Sequence, residues 1–177
     1  PHAFFFMLRR PPRCTTKPSS ASSDGYNSQD GVDLGVKFPN ELVHRDGRKF
    51  AGFLVEGDGE RAVIGCGINV LVRSWPSEYR AASLDELGLA CERIQLLEAL
   101  LPALAGRLKS DDASLACDYG RRHLPTGRNV ILEFERERLE GRLESIDPFS
   151  MLELHTESGL RQIPVAHCRM LEWTLDR

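Results

Sequence analysis

Apolar residues recur along this chain in three textures, and each texture predicts a different kind of element. From Val36 to Val70 they come as short, nearly continuous runs broken by glycines. Val36–Val43 and Lys49–Glu56 flank His44-Arg45-Asp46-Gly47, and an Asp-Gly step between apolar runs predicts a β-hairpin. A second glycine-rich turn, Glu56-Gly57-Asp58-Gly59-Glu60, leads into Ala62–Val70. The three strands read as an antiparallel meander, and runs this continuously apolar predict a sheet covered on both faces.

From Ser83 to His123 the spacing changes to three and four residues. Ser83-Leu84-Asp85-Glu86 has the form of a capping box and predicts a helix start. Ile94, Leu97, Leu101, Leu104 and Leu108 then form one stripe on a helix over about Cys91 to Leu108, and such a stripe is expected to face the core. Pro102 lies inside the pattern and should kink or split that helix. Ser110 is the expected cap of a further helix, Asp111 to about His123, ended by Pro125 and Gly127. Beyond Gly127, Asn129–Glu135, Arg138–Ile146, Met151–Thr156 and Leu160–Val165 alternate or run apolar between turns at Glu135-Arg136-Glu137, Asp147-Pro148 and Ser158-Gly159. Four or five short strands in roughly 50 residues predict a small antiparallel barrel. The expected fold class is α+β: a partial mixed or antiparallel sheet with helices over residues 31–125, then a small all-β barrel over 126–177.

Residues 1–30 share none of these textures. Pro1 to Ser23 contain no acid but carry Arg9, Arg10, Arg13 and Lys17, and Ser19 to Gly31 is polar and aperiodic, which predicts disorder. Such a start is compatible with an organelle transit peptide, with Met7 as an internal initiator. The absence of a clear amphipathic helix and the opening on Pro1 favour a tail left by truncation or by an error in the gene model.

Composition excludes more than it assigns. The 177 residues carry a net charge of -3 and are 41% hydrophobic, so neither nucleic acid nor an anionic membrane is an expected partner. No apolar run reaches bilayer length, and the chain is expected in the cytoplasm, or in an organelle if the start is a transit peptide. Five scattered cysteines without a C-x-x-C pair argue for a reducing compartment and against a zinc site. Cys66 is expected to be a small buried hydrophobe, and His123 and His155 surface residues. No metal ligands are expected.

The candidate chemistry lies in the meander, where polar residues and glycines sit in place of bulk. Lys49 follows a tight turn and can place its ammonium over the sheet, where it would offset charge on a phosphate or acyl-phosphate. Gly65 and Gly67 alternate with Cys66 and share a face, so a flat ring can lie against their backbone. Asn69 continues that face with an amide that can donate and accept. Lys37 and Asn40 belong to the adjoining strand and its end. Each has a plain alternative: the lysines as solvated edge residues, the glycines as a bulge or close helix crossing, Asn69 as a turn.

Together these residues resemble a known family. K-F-P-N-E-L, then D-G-R-K-F-A-G-F-L-V-E, then V-I-G-C-G-I-N-V, are similar in order and spacing to the central motifs of biotin–protein ligases. A-A-S-L-D-E-L-G resembles the helix start that follows those motifs. Gly127-x-x-Val130 and Gly141…Ile146-Asp147 resemble positions in the family's small C-terminal domain. The resemblance runs from about Gly31 to Trp173 and implies the second half of the catalytic domain followed by the barrel.

By that resemblance the chain is a ligase that adenylates biotin with ATP and Mg2+. It would then transfer biotin to a lysine of a carrier protein, such as the biotin carrier domain of an acetyl-CoA carboxylase. Lys49 would be the catalytic cation at biotin's carboxylate. Gly52, Gly65 and Gly67 would hold the biotin, and Lys37, Asn40, Glu41 and Asn69 the nucleotide. Glu41 stands in place of the family's aspartate, Phe38 in place of its tryptophan, and Ala166-His167-Cys168 in place of a glycine-glutamate-valine step. The family's arginine- and glycine-rich loop, and the helix before the Lys37 strand, have no counterpart in Pro1–Gly31. The chain is therefore expected to be a fragment with impaired activity. Alternatives are a non-catalytic remnant that binds ligand or carrier protein, and a relative of the lipoate–protein ligases. A homodimer is also compatible with the sequence.

Overall fold

A computed structural model describes residues 34–175 apart from 59, 73 and 90. The tail expected over residues 1–30, and Gly59 of the second turn, lie outside the described residues. In chain order the elements are β1 (Leu34–Lys37), β2 (Glu41–His44), β3 (Lys49–Gly57), β4 (Ala62–Ile68), α1 (Arg93–Arg107), α2 (Asp112–Arg122), β5 (Asn129–Phe134), β6 (Glu137–Ile146), β7 (Met151–Thr156), β8 (Gly159–Pro164) and β9 (Cys168–Trp173). The α+β class holds. No described helix is long and apolar enough to cross a membrane.

The first sheet is an antiparallel meander of four strands, β1-β2-β3-β4, not three. Pro39 has no N–H to give to a ladder, so the run expected over Val36–Val43 breaks at Phe38-Pro39-Asn40 and folds back, pairing Lys37 with Glu41. A small core of Phe50, Ala51, Ala82 and Leu84, with Phe53, Ile68 and Leu96 against it, covers one face. The other face is open over β3 and β4, where Leu54 is 52% and Val63 70% exposed. Two covered faces were expected; an apolar run records only that a strand can be covered.

The helical region departs from expectation in the same way. The Ser83 box forms, with the Ser83 amide donating to Glu86 Oε2 at 2.8 Å and the Glu86 amide to Ser83 Oγ at 3.3 Å. It starts one turn and no helix, because Gly88 takes a φ of 76° and ends the turn at once. Helix α1 runs unbroken through Pro102. Its stripe is not core: Ile94, Leu97, Leu101 and Leu108 are exposed. Helix α2 is capped by Asp111, not Ser110; the Asp111 carboxylate accepts from the Ser114 amide at 2.9 Å.

The second sheet is antiparallel, in the order β8-β7-β6-β5-β9. Its strands alternate buried and exposed positions, and Val130, Leu132, Leu139, Leu143, Leu152, Leu154, Ile163 and Met170 form the main core. Among the described residues it is not a closed barrel. The pairing of β9 on β5 puts β8 and β9 at opposite edges.

The two sheets are joined through Phe38. Its ring is buried in the core of the second sheet, although the residue follows β1 of the first. Its amide donates to His123 Nε2 at 3.2 Å, and His123 Nδ1 lies 2.9 Å from Thr126 Oγ1. Tyr119 stacks on the imidazole and donates from its hydroxyl to the Pro39 carbonyl. Gly35 lets β1 approach this corner, because a Cβ there would lie 2.3 Å from Leu124 Cγ. His123 is therefore buried, not on the surface; His155 is exposed as expected.

Burial pulls the His123 pKa down to about 3, so the folded protein holds the ring neutral with Nε2 as acceptor. The unfolded chain protonates it near the ordinary value of about 6.5, so between that pH and about 3 the unfolded state binds more protons and stability drops as the pH is lowered. Urea unfolding should show a loss of roughly 2 kcal/mol from His123 between pH 7 and pH 5. His123→Gln should remove that part of the slope. An unchanged slope in the variant would mean that the ring is not held neutral.

Candidate functional site

Strand register assembles the candidate residues. Lys37 pairs with Glu41, Glu41 with Gly52, and Gly52 with Gly67, so these four lie in one row across β1, β2, β3 and β4. Residues in a row share a face. In the next row on that face Leu54 pairs with Gly65. Backbone is thus bare at Gly52, Gly65 and Gly67, with the exposed Leu54 beside them.

Lys49 reaches the same face through a bulge. Leu42 faces Ala51 while Val43 faces Lys49, so Phe50 is an extra residue on β3. Lys49 and Gly52 are three apart and would point to opposite faces of a regular strand; the extra residue brings them to one face. The backbone of Lys49 is fixed from the other side, where its amide donates to the Arg80 carbonyl at 2.9 Å and its carbonyl accepts from the Ala82 amide at 2.9 Å. Its side chain folds back over Gly52, where a Cβ would stand 3.1 Å from both Cε and Nζ. Gly52 is therefore what gives the ammonium its place.

Glu41 holds both lysines. Its Oε1 lies 2.8 Å from Lys49 Nζ and its Oε2 2.9 Å from Lys37 Nζ. Burial raises the Glu41 pKa, but the hydrogen bonds and charges of the two lysines lower it more, and the carboxyl ends below its ordinary value. The site thus carries one carboxylate between two ammoniums.

The two asparagines serve the backbone. The Asn40 side-chain amide donates to the Phe53 carbonyl, and the Phe53 amide donates to the Asn40 carbonyl at 3.0 Å. Asn69 Nδ2 donates to the Ala82 carbonyl at 3.1 Å. Asn40 pins the turn after β1 to β3, and Asn69 pins the end of β4 to the segment that holds Lys49.

An open depression of about 650 Å3 lies over this face, lined by Asn40, Lys49, Gly52, Gly65, Gly67 and Asn69 together with Phe53, Leu54, Cys66 and Ile68. Lys37 and Glu41 are not part of its lining and reach it through the ion pair on Lys49. Leu54 was missed by sequence reasoning although it falls two residues beyond Gly52, a spacing that places it on the same face. Cys66 is exposed, not buried, because the small core ends before it. Among the described residues no group of three or more His, Cys, Asp or Glu is placed to hold a metal ion.

No protein-family model matches the sequence, and no curated protein does. Solved structures match the fold. The apo form of the biotin protein ligase from Aquifex aeolicus superposes with a TM-score of 0.67 at 23% identity over 78% of this chain. The same enzyme in complex with biotin and ATP gives 0.67 at 24% identity over 78%, and a mutant in complex with biotin gives 0.68 at 22% over 80%. The matched regions cover 65%, 62% and 63% of those chains. This chain thus spans less than two thirds of the length of the ligases it matches, and over that part its fold is biotin protein ligase-like.

Proposed function

We propose that the floor and Lys49 form one wall of a site that activates the carboxylate of biotin with ATP and passes the biotinyl group to a lysine of a carrier protein. The observation that carries this reading is the placement of the Lys49 ammonium over Gly52, at the edge of the bare backbone of Gly65 and Gly67. Biotin is a fused bicyclic ring on an aliphatic acid. Its rings suit a glycine floor rimmed by Leu54, and its carboxylate suits a fixed cation. The Aquifex ligase in complex with biotin and ATP, which shares this fold, supports the pair of ligands.

In this reading a biotin carboxylate oxygen attacks the α-phosphorus of ATP, and the bond to pyrophosphate breaks to leave biotinyl-adenylate. Lys49 offsets the negative charge that gathers around the new acyl-phosphate oxygens, in an arrangement set before the reaction begins. A neutral lysine amine of the carrier then attacks the acyl carbon. AMP departs with the bonding electrons, and the amine's proton passes to solvent. Lys37, Asn40, Glu41 and Asn69 stand on the nucleotide side. Since Glu41 is engaged by two lysines, Mg2+ enters the proposal only as the partner of the ATP phosphates, where it keeps most of its ligands from phosphate and water. The carrier domain of a carboxylase is the proposed acceptor.

The open face of β3 and β4 and the exposed stripe of α1 support a further part of the reading, that the described residues supply one wall of the site and not the facing one. Purified alone with ATP, biotin and Mg2+, it should form little or no biotinyl-adenylate; robust adenylate formation would overturn the half-site reading. In a chimera completed with the N-terminal part of the Aquifex ligase, Lys49→Ala should lower biotin activation by roughly 100-fold or more. An unchanged rate would remove Lys49 from the site. Gly52→Ala in the same chimera should leave unfolding stability within about 1 kcal/mol, since the crowded atoms end a flexible side chain, yet weaken biotin binding severalfold by displacing the ammonium. Unaltered binding would assign Gly52 to strand packing alone.

A further inference from the structure

Glu41 is the one carboxylate that the sheet register sets among the candidate residues, and its position asks for an explanation. If the site exists to receive anions, an anion of its own competes with them. The side chain is partly covered and directed by the ladder: Glu41 lies between Lys37 on one neighbouring strand and Gly52 on the other. Its two oxygens are divided between Lys37 Nζ at 2.9 Å and Lys49 Nζ at 2.8 Å. Gly52 adds no side chain that would separate Glu41 from the folded Lys49. A neutral residue here would leave two ammoniums in one corner of a sheet, and like charges at that range repel.

We infer that Glu41 is a resident counter-ion that holds the anion position between the two lysines and yields it, one lysine at a time, to the carboxylate and phosphate groups of the ligands. The inference rests on the reading of the depression as a site for activating a carboxylate with a nucleotide, and it adds how that site is kept assembled and selective. One carboxylate against two ammoniums leaves the corner with one net positive charge, enough to draw an anion. The carboxylate also sets a threshold. A small anion engaging one lysine gains little over the Glu41 that it replaces, whereas a polyanion reaching both gains more. Binding is weakened in exchange for order, because the two long side chains are already held where the ligand needs them.

The test uses inorganic pyrophosphate as the probe, titrated by calorimetry at low salt into the full chain and into Glu41→Gln, which keeps the shape and removes the charge. Glu41→Gln should bind pyrophosphate about tenfold more tightly than the parent. The gain should vanish in Glu41→Gln combined with Lys37→Ala. Glu41→Asp, one methylene shorter and unable to span both lysines, should fall between. Circular dichroism melting establishes that each variant is folded, and Glu41→Asp carries the test if Glu41→Gln is not. Equal affinity in parent and variants, or no measurable binding to any of them, would overturn the inference. Biotin binding, measured separately in the chimera, distinguishes the two levels. Normal biotin binding without a pyrophosphate gain leaves the ligase reading standing and removes this one. A pyrophosphate gain without biotin binding keeps the counter-ion and removes the ligase reading.

Discussion

The Phe38 amide and the His123 imidazole make the bond on which the rest of this structure depends. Phe38 fills a place in the core of the second sheet while its neighbours Lys37, Asn40 and Glu41 belong to the first. A buried N–H without an acceptor is costly, so the neutral ring that receives it fixes where the turn between β1 and β2 must lie. Tyr119 and the Pro39 carbonyl hold the same turn from α2. The candidate site is thus positioned by packing that it does not contain. Changes in the second sheet have a physical route to Glu41, and through Glu41 to both lysines.

From that anchor the geometry follows by register. The ladder carries Lys37, Glu41, Gly52 and Gly67 across four strands, and a single extra residue on β3 brings Lys49 to their face. Absence of side chains matters as much as their presence. Gly52 gives room for an ammonium, and Gly65 and Gly67 leave backbone exposed where a ring can lie. The face opposite is closed by Phe50, Ala51, Ala82 and Leu84, which back the floor without covering it.

Much of this was legible in the sequence because it is local. The Asp-Gly hairpin, the alternation of Gly65 and Gly67 around Cys66, helix α2 and most strands of the second sheet depend on neighbours a few residues away. The three ordered motifs pointed to the ligases whose fold the chain shares. What was not legible depends on partners distant in the chain. The bulge at Phe50 decides which face Lys49 takes, and nothing in R-K-F-A-G announces it. His123 was expected on the surface because its acceptor role is to an amide 85 residues away. The Ser83 box describes a first turn and is silent about a second, which Gly88 prevents. For Pro39 the signal was present and underweighted, since a proline inside an apolar run argues against one continuous strand. The exposed stripe of α1 and the open face of β3 and β4 show the general limit: periodicity records that a surface is apolar, not that something covers it.

The central claim is that biotin lies against the glycine floor, and backbone amide resonances report on that most directly. In a heteronuclear NMR titration of the isotopically labelled chimera with biotin, the account predicts shifts concentrated at Gly52, Gly65, Gly67 and Lys49. Resonances of β5 through β9 should stay in place. Shifts confined to the second sheet or to α1, or no shift at saturating biotin, would contradict it.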